Sequence, residues 1–235
     1  MGKRIMVRRR GKGGVYSSPG HQHEGEIRHI PSLNCTGTVE DIFHARGRHG
    51  PLARIAYEDK GEKREVLVLA ADTLQVGQQI RVGSDAPIDT GNTLPLGRVP
   101  VGVQVHNVEA RPGDGGKFAR TSGVAATVVS QDKVTTIQLP SGQFKGLNPL
   151  CRATVGVLAG GGRKEKPFVK AGKKYHALRS TAIIFPRVKG LSMNPIDHPH
   201  GGGGHPHVGR PSTVARGAWP GQKVGRLSPQ RKKRK

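Results

Sequence analysis

The sequence predicts an all-β core of small barrels or sandwiches carried between two basic, irregular arms, and two observations predict it. Short runs of alternating apolar residues recur through the middle of the chain, and no window there offers an amphipathic helix of three turns. The charge is the second observation. The 235 residues hold 39 Lys and Arg against 16 Asp and Glu, a formal net charge of +23. Residues 1–33 account for +5 and residues 163–235 for +16, so the middle is close to neutral.

The strands are read from their periodicity. Val101-Gly102-Val103-Gln104-Val105-His106 alternates strictly, and Cys151 to Val157 does the same. Ala53–Tyr57 and Val66–Leu69 read as two strands joined across Asp59-Lys60-Gly61-Glu62, a hairpin turn containing Gly. Ile80–Val82, Val124–Val129 and Val134–Leu139 complete the set. Gly, Pro, Asp or Asn stand between most of them, the spacing of small barrels or sandwiches. The stretch Ser84–Asn92 is the candidate boundary between two strand groups.

The arms carry a different composition. Arg8-Arg9-Arg10-Gly11-Lys12-Gly13-Gly14 mixes cations with Gly and has no apolar period. The C-terminal arm contains His198-Pro199-His200-Gly201-Gly202-Gly203-Gly204-His205-Pro206-His207 and closes on Arg231-Lys232-Lys233-Arg234-Lys235. Neither can bury enough apolar area to fold alone, so each is expected to order against a partner, not to serve as a loose solubilising tail. A polyanion is the natural partner for this excess charge. Nucleic acid fits better than a membrane, since the longest apolar runs, such as Glu65–Ala71, fall far short of the roughly 20 residues of a span. The first ten residues also lack the apolar stretch of a secretory signal. Cys35 and Cys151 lie far apart and read as reduced thiols on strands.

Several chemistries are excluded. No Gly-x-x-x-x-Gly-Lys-Ser/Thr run or Gly-x-Ser-x-Gly elbow occurs, so neither a phosphate loop nor a serine nucleophile is expected. The histidines at 198, 200, 205 and 207 invite a metal reading, but only Asp197 stands near them as a further ligand. Contact with RNA bases and phosphates suits them better. Glycines 201–204 are expected to resist substitution because a Cβ would hold the backbone away from phosphate. No catalytic residue, metal ligand or cofactor is expected, structural Mg2+ shared with RNA being the one ion left room for.

The run Gly190-Leu191-Ser192-Met193-Asn194-Pro195-Ile196-Asp197-His198-Pro199-His200-Gly201-Gly202-Gly203 resembles the signature of the large-subunit ribosomal protein L-two family. Gly91–Leu96, Pro100–Glu109 and Arg111–Arg120 resemble further stretches of it, in family order, and the likeness extends from about Arg8 to Gly225. Gly204–Thr213 and Pro220–Gly225 resemble the archaeal and eukaryotic branch, and the length suggests an archaeal source. The resemblance implies an OB-fold barrel over 34–88 followed by an SH3-like barrel over 89–162, with extensions over 1–33 and 163–235. It implies a cytoplasmic, ribosomal protein with no membrane contact that binds large-subunit ribosomal RNA beside other large-subunit proteins. It also implies support of the peptidyl transferase centre, where RNA does the chemistry, and contact with the small subunit across an intersubunit bridge. The alternative weighed against it is a free-standing, DNA-compacting protein with basic tails.

Arg48 and Arg120 match the family's basic residues that grip RNA where the barrels meet, though the sequence around Arg48 departs from the bacterial pattern. His198 matches the tail histidine tied to peptidyl transfer. The other residues expected on RNA are Arg8, Arg9, Arg10 and Lys12 in the first arm and Lys117 in the core. In the second arm they are Arg187, Lys189, Asn194, His200, Gly201, Gly202, His205, His207, Arg210, Arg216, Trp219 and Lys223.

Overall fold

The computed structural model describes residues 24–32, 34–219 and 221–228, which divide into one compact unit running through Val169 and a second from Lys170 onward. The first unit carries ten strands: β1 (Cys35–Phe43), β2 (Leu52–Asp59), β3 (Glu62–Leu69), β4 (Gln79–Val82), β5 (Thr93–Pro95), β6 (Gln104–His106), β7 (Ala126–Gln131), β8 (Thr135–Gln138), β9 (Phe144–Leu147) and β10 (Arg152–Val155). They form one sheet in the order β3-β2-β1-β4-β5-β10-β6-β7-β8-β9. The all-β expectation for the middle of the chain holds.

The β2–β3 hairpin shows the local logic. Its ladder runs without a slip from Leu52↔Leu69 to Asp59↔Glu62. Lys60 and Gly61 both take positive φ, 54° and 84°, the turn geometry whose twist matches paired strands. β1 is less regular, its register with β2 shifting between Val39 and Asp41. That bulge keeps Val39 buried while Glu40 and Asp41 both face out. Gly37 sits in β1 because a Cβ there would stand 2.5 Å from Ile55 Cγ2.

Each half of the sheet wraps its own core. Val39, Ala53, Ile55, Tyr57, Ile80 and Val82 fill the first. Leu94, Leu96, Val105, Val128, Ile137 and Ala153 belong to the second. The halves are laced together instead of merely linked. β4 and β5 pair in parallel at Val82↔Thr93. The chain leaving β10 then returns to the first half: Asp72 N donates to Val157 O at 2.8 Å and Ala159 N to Ala70 O at 3.0 Å. A third apolar cluster of Ile27, Ala45, Leu52, Leu69 and Leu158 seals this seam.

Ile27 marks a difference from the sequence reading, which assigned residues 1–33 to an arm. Residues 25–30 lie as a strap on the β unit, with Ile27 bridging Leu67 and Arg28 N donating to Leu67 O at 3.2 Å. Ile27 and Ile30 are both buried. Polar neighbours Glu24, Glu26, Arg28 and His29 mask these two apolar anchors in the sequence.

The second unit has little core. Its helix α1 (Ala171–Arg179) buries no residue. Two short parallel strands, β11 (Thr213–Val214) and β12 (Arg226–Leu227), pair with each other. Val224 is the one buried apolar residue among the described residues of this unit. No helix among the described residues is long and apolar enough to cross a membrane.

Amide exchange on the free protein should therefore be slow in β1–β10 and in Ile27–Ile30, and fast throughout 170–228. Equal protection of the two units in a fragment-resolved exchange experiment would contradict this division.

Candidate nucleic-acid interface

The strap organises the cations of the β unit. Arg48 follows β1, and its Nη2 donates to Gly25 O at 2.5 Å. Arg120 comes from the loop before β7; its Nη1 donates to Gly116 O at 2.8 Å and its Nη2 to Ile27 O at 3.3 Å. Burial lowers the pKa of both, and for Arg120 the charge of Arg48 lowers it further. Both remain guanidinium ions at neutral pH. Neither makes an ion pair among the described residues. The buried Nε of Arg48 also finds no acceptor among the described residues. Two half-buried like charges that influence one another, with no carboxylate paired to either among the described residues, favour an incoming anion.

Lys117 is exposed on the loop that joins Glu109 to Arg120. Glycine amides in such a loop can cradle phosphate, but here they are already used. Gly113 N and Gly115 N donate to Glu109, and Ala110 N, Arg111 N and Gly116 N to Asp114. The loop presents its side chains outward and keeps these amides on its own carboxylates. Hydrogen bonds from Gly116, Ala110 and Arg111 hold the Asp114 carboxyl below its usual range against a burial effect that would raise it.

Glu109 itself is fully buried and paired with Arg152 at 3.0 Å. Burial pushes its carboxyl up, and hydrogen bonds and charge from Arg152 more than offset this, leaving it lowered. Sequence reasoning missed this pair. The available signal was the charge of Arg152 at the head of the short strand Arg152–Val155, whose other residues are Ala, Thr and Val.

The tail residues are held by turns. Asn194 O accepts from Asp197 N at 2.9 Å and His198 N at 3.2 Å, and His198 O accepts from Gly201 N at 2.9 Å. His198 Nδ1 accepts from His200 N at 3.0 Å, and the two rings meet edge to face at 5.1 Å. Burial, His200 and Arg187 lower the His198 pKa, so the ring is neutral at pH 7 with its remaining proton on Nε2. Arg210 Nη2 donates to Pro199 O. His198, His200, Gly201 and Gly202 are half-buried in this knot. Arg187, Lys189, Asn194, His205, His207, Arg210, Arg216 and Lys223 are exposed, and Trp219 is 78% exposed. Arg8, Arg9, Arg10 and Lys12 lie outside the described residues. No group of three or more His, Cys, Asp and Glu side chains converges to hold a metal among the described residues.

Residues 89–220 match the family model described as Ribosomal Proteins L2, C-terminal domain. Similarity to curated proteins extends over the whole chain. The Large ribosomal subunit protein uL2 of Methanosphaerula palustris is 49% identical over 236 residues, 98% of each chain. The protein of that name from Methanococcus maripaludis strain C5 is 49% identical over 243 residues, covering both chains fully. That of Halorubrum lacusprofundi is 50% identical over 236 residues, 98% of this chain and 97% of its own. The chain belongs to the ribosomal protein L2 family. These three relatives are archaeal, in line with the branch resemblance. The two halves of the sheet are the OB-fold and SH3-like barrels of that family.

Two predictions follow from this geometry. In the tail, the sequence expectation for glycines 201–204 changes in extent and in cause. A Cβ on Gly201 would collide with Met193 O and stand 2.5 Å from Asn194 O, whereas one on Gly204 meets nothing within 4 Å. Gly201→Ala should therefore lower incorporation into reconstituted large subunits severalfold while Gly204→Ala should not, as scored by subunit pelleting.

In the strap, His29 Nε2 lies 2.7 Å from Asn107 O. Burial first, with Arg152 adding, lowers its pKa from 6.5 to about 4, although Glu109 pulls the other way. The unfolded chain takes up this proton below pH 6.5 and the folded chain does not. Stability is thus full above that pH and falls as pH drops towards 4, by about 2 kcal/mol between pH 7 and pH 5. Urea midpoints at the two pH values should show that loss, and His29→Gln should reduce it.

Proposed function

We propose that this chain is a structural constituent of the large ribosomal subunit, binding large-subunit ribosomal RNA in the cytoplasm. The observation that carries the reading is the uncompensated Arg48–Arg120 pair, half-buried and in want of an anion, in a chain of net charge +23. Phosphate oxygens supply the acceptors these groups lack, and such contacts position the protein without reading sequence. Lys117 adds an exposed cation on the loop that leads to Arg120.

The tail extends the contact. Its exposed arginines, lysines and histidines, with Trp219, suit stacking on unpaired bases and binding of phosphate in RNA too irregular for duplex readers. A unit with one buried apolar residue among its described residues has little to hold it without that partner. The reactive chemistry of the ribosome then belongs to RNA, and the His198 knot supports the peptidyl transferase region by shape. Other large-subunit proteins are neighbours in this reading, and an intersubunit bridge to the small subunit belongs to it. Any Mg2+ near the arms is shared with RNA phosphates.

If the chain neutralises about 8–10 phosphates, log K for protein-free large-subunit RNA should fall with log salt at a slope steeper than about −5. A slope shallower than about −2 in filter binding would defeat the electrostatic account. The protein should also co-sediment with large subunits at moderate salt, and its absence from them there would count against a constituent role.

A further inference from the structure

Five hydrogen bonds converge on the buried carboxylate of Glu109. Oε1 accepts from Arg152 Nη2 at 3.0 Å, Arg152 Nε at 3.2 Å and Gly115 N at 3.2 Å. Oε2 accepts from the backbone N of Arg152 at 2.9 Å and from Gly113 N at 3.1 Å. The remaining arm of the guanidinium, Nη1, donates to Ile30 O at 2.7 Å. Glu109 therefore holds the 110–116 loop directly and the strap through Arg152.

Those are the two segments on which Arg120 rests. Gly116 O, which takes its Nη1, ends the loop, and Ile27 O, which takes its Nη2, lies in the strap. Gly25 O in the same strap takes Arg48. A buried ion pair can often be exchanged for apolar side chains at no loss of stability. Apolar side chains here would leave Gly113 N, Gly115 N and Ile30 O without partners, and would free both segments that orient the arginines.

We propose that Glu109 is a positioning residue for RNA binding: acting through the loop and through Arg152, it sets where the Arg120 and Arg48 guanidinium groups stand. The inference rests on the reading that these two arginines contact RNA.

The sign of its effect separates positioning from simple charge. Glu109→Gln removes a negative charge from an RNA-binding protein, so charge alone would tighten binding. Positioning requires the opposite. The test is a double-mutant cycle in the full-length protein, with affinity for deproteinised large-subunit RNA measured at fixed salt and folding checked by urea denaturation. Arg120→Ala should weaken binding about tenfold. Glu109→Gln, still folded, should weaken it by a similar factor, and the double variant by no more than about twofold beyond either. Multiplying effects, or tighter binding by Glu109→Gln, would overturn the proposal while leaving the RNA reading intact. No loss on Arg120→Ala would instead remove the RNA reading itself, and the proposal with it. If Glu109→Gln does not fold, Asp114→Asn takes its place in the cycle. It releases the outer turn of the loop, where Ala110 N, Arg111 N and Gly116 N are bound, without touching the buried pair. Additive effects there would equally overturn the proposal.

Discussion

A short strap of backbone carbonyls is the constraint on which the β unit depends. Gly25 O, Ile27 O and Ile30 O each accept from a different arginine, Arg48, Arg120 and Arg152. Arg48 comes from the first half of the sheet and the other two from the second. The strap also adds Ile27 to the apolar seam between the halves. Because carbonyls satisfy part of each guanidinium without neutralising it, the cations are fixed in place and stay cations. A carboxylate in the same position would have consumed the charge that the surface offers to RNA. Only Arg152, turned inward, is given one.

Different physics governs the two units. The β unit is held by apolar cores and by a ladder that reaches from one half to the other. The tail unit is held by reverse turns, in which His198, Met193 and Asn194 donate or accept at short range. Such turns fix local shape at little cost in chain entropy, but they give no cooperative core. Charge divides in the same way. The acids that balance the β unit are nearly absent from residues 163–235, which hold 2 acids against 18 bases.

Most strands were legible in the sequence: the runs read at 53–57, 66–69, 80–82, 101–106, 124–129, 134–139 and 151–157 fall on β2, β3, β4, β6, β7, β8 and β10, although burial alternates strictly only in short strands such as β4 and β8. β1, β5 and β9 were not. Cys35–Phe43 contains Gly37, Glu40 and Asp41, and it is a strand because β2 and β4 flank it on both sides. Thr93–Pro95 is too short to show a period, and Phe144–Leu147 is exposed at three of its four residues. Helix α1 was also missed, its nine residues being too few for a stripe. For the site, the basic tail and the histidine run could be read from composition. That Arg48 and Arg120 share one strap could not, since proximity between distant loops leaves no local pattern; only family resemblance suggested it. The Glu109–Arg152 pair was hidden for the same reason.

Among the described residues the strand order ends at β3 and at β9, and these two margins are built differently. At β3 the strap covers Leu67, and beyond it Glu62-Lys63-Arg64-Glu65 presents four exposed charges of both signs. A second chain could dock there only by desolvating those ions. At β9, where the described sheet ends, Phe144-Lys145-Gly146-Leu147 carries an aromatic ring 64% exposed and a lysine that lies over the Phe118 ring. Edges of that kind are templates for aggregation. In the free protein the β9 margin is thus the more open of the two to pairing with a second chain, with only its shortness and Lys145 to oppose it.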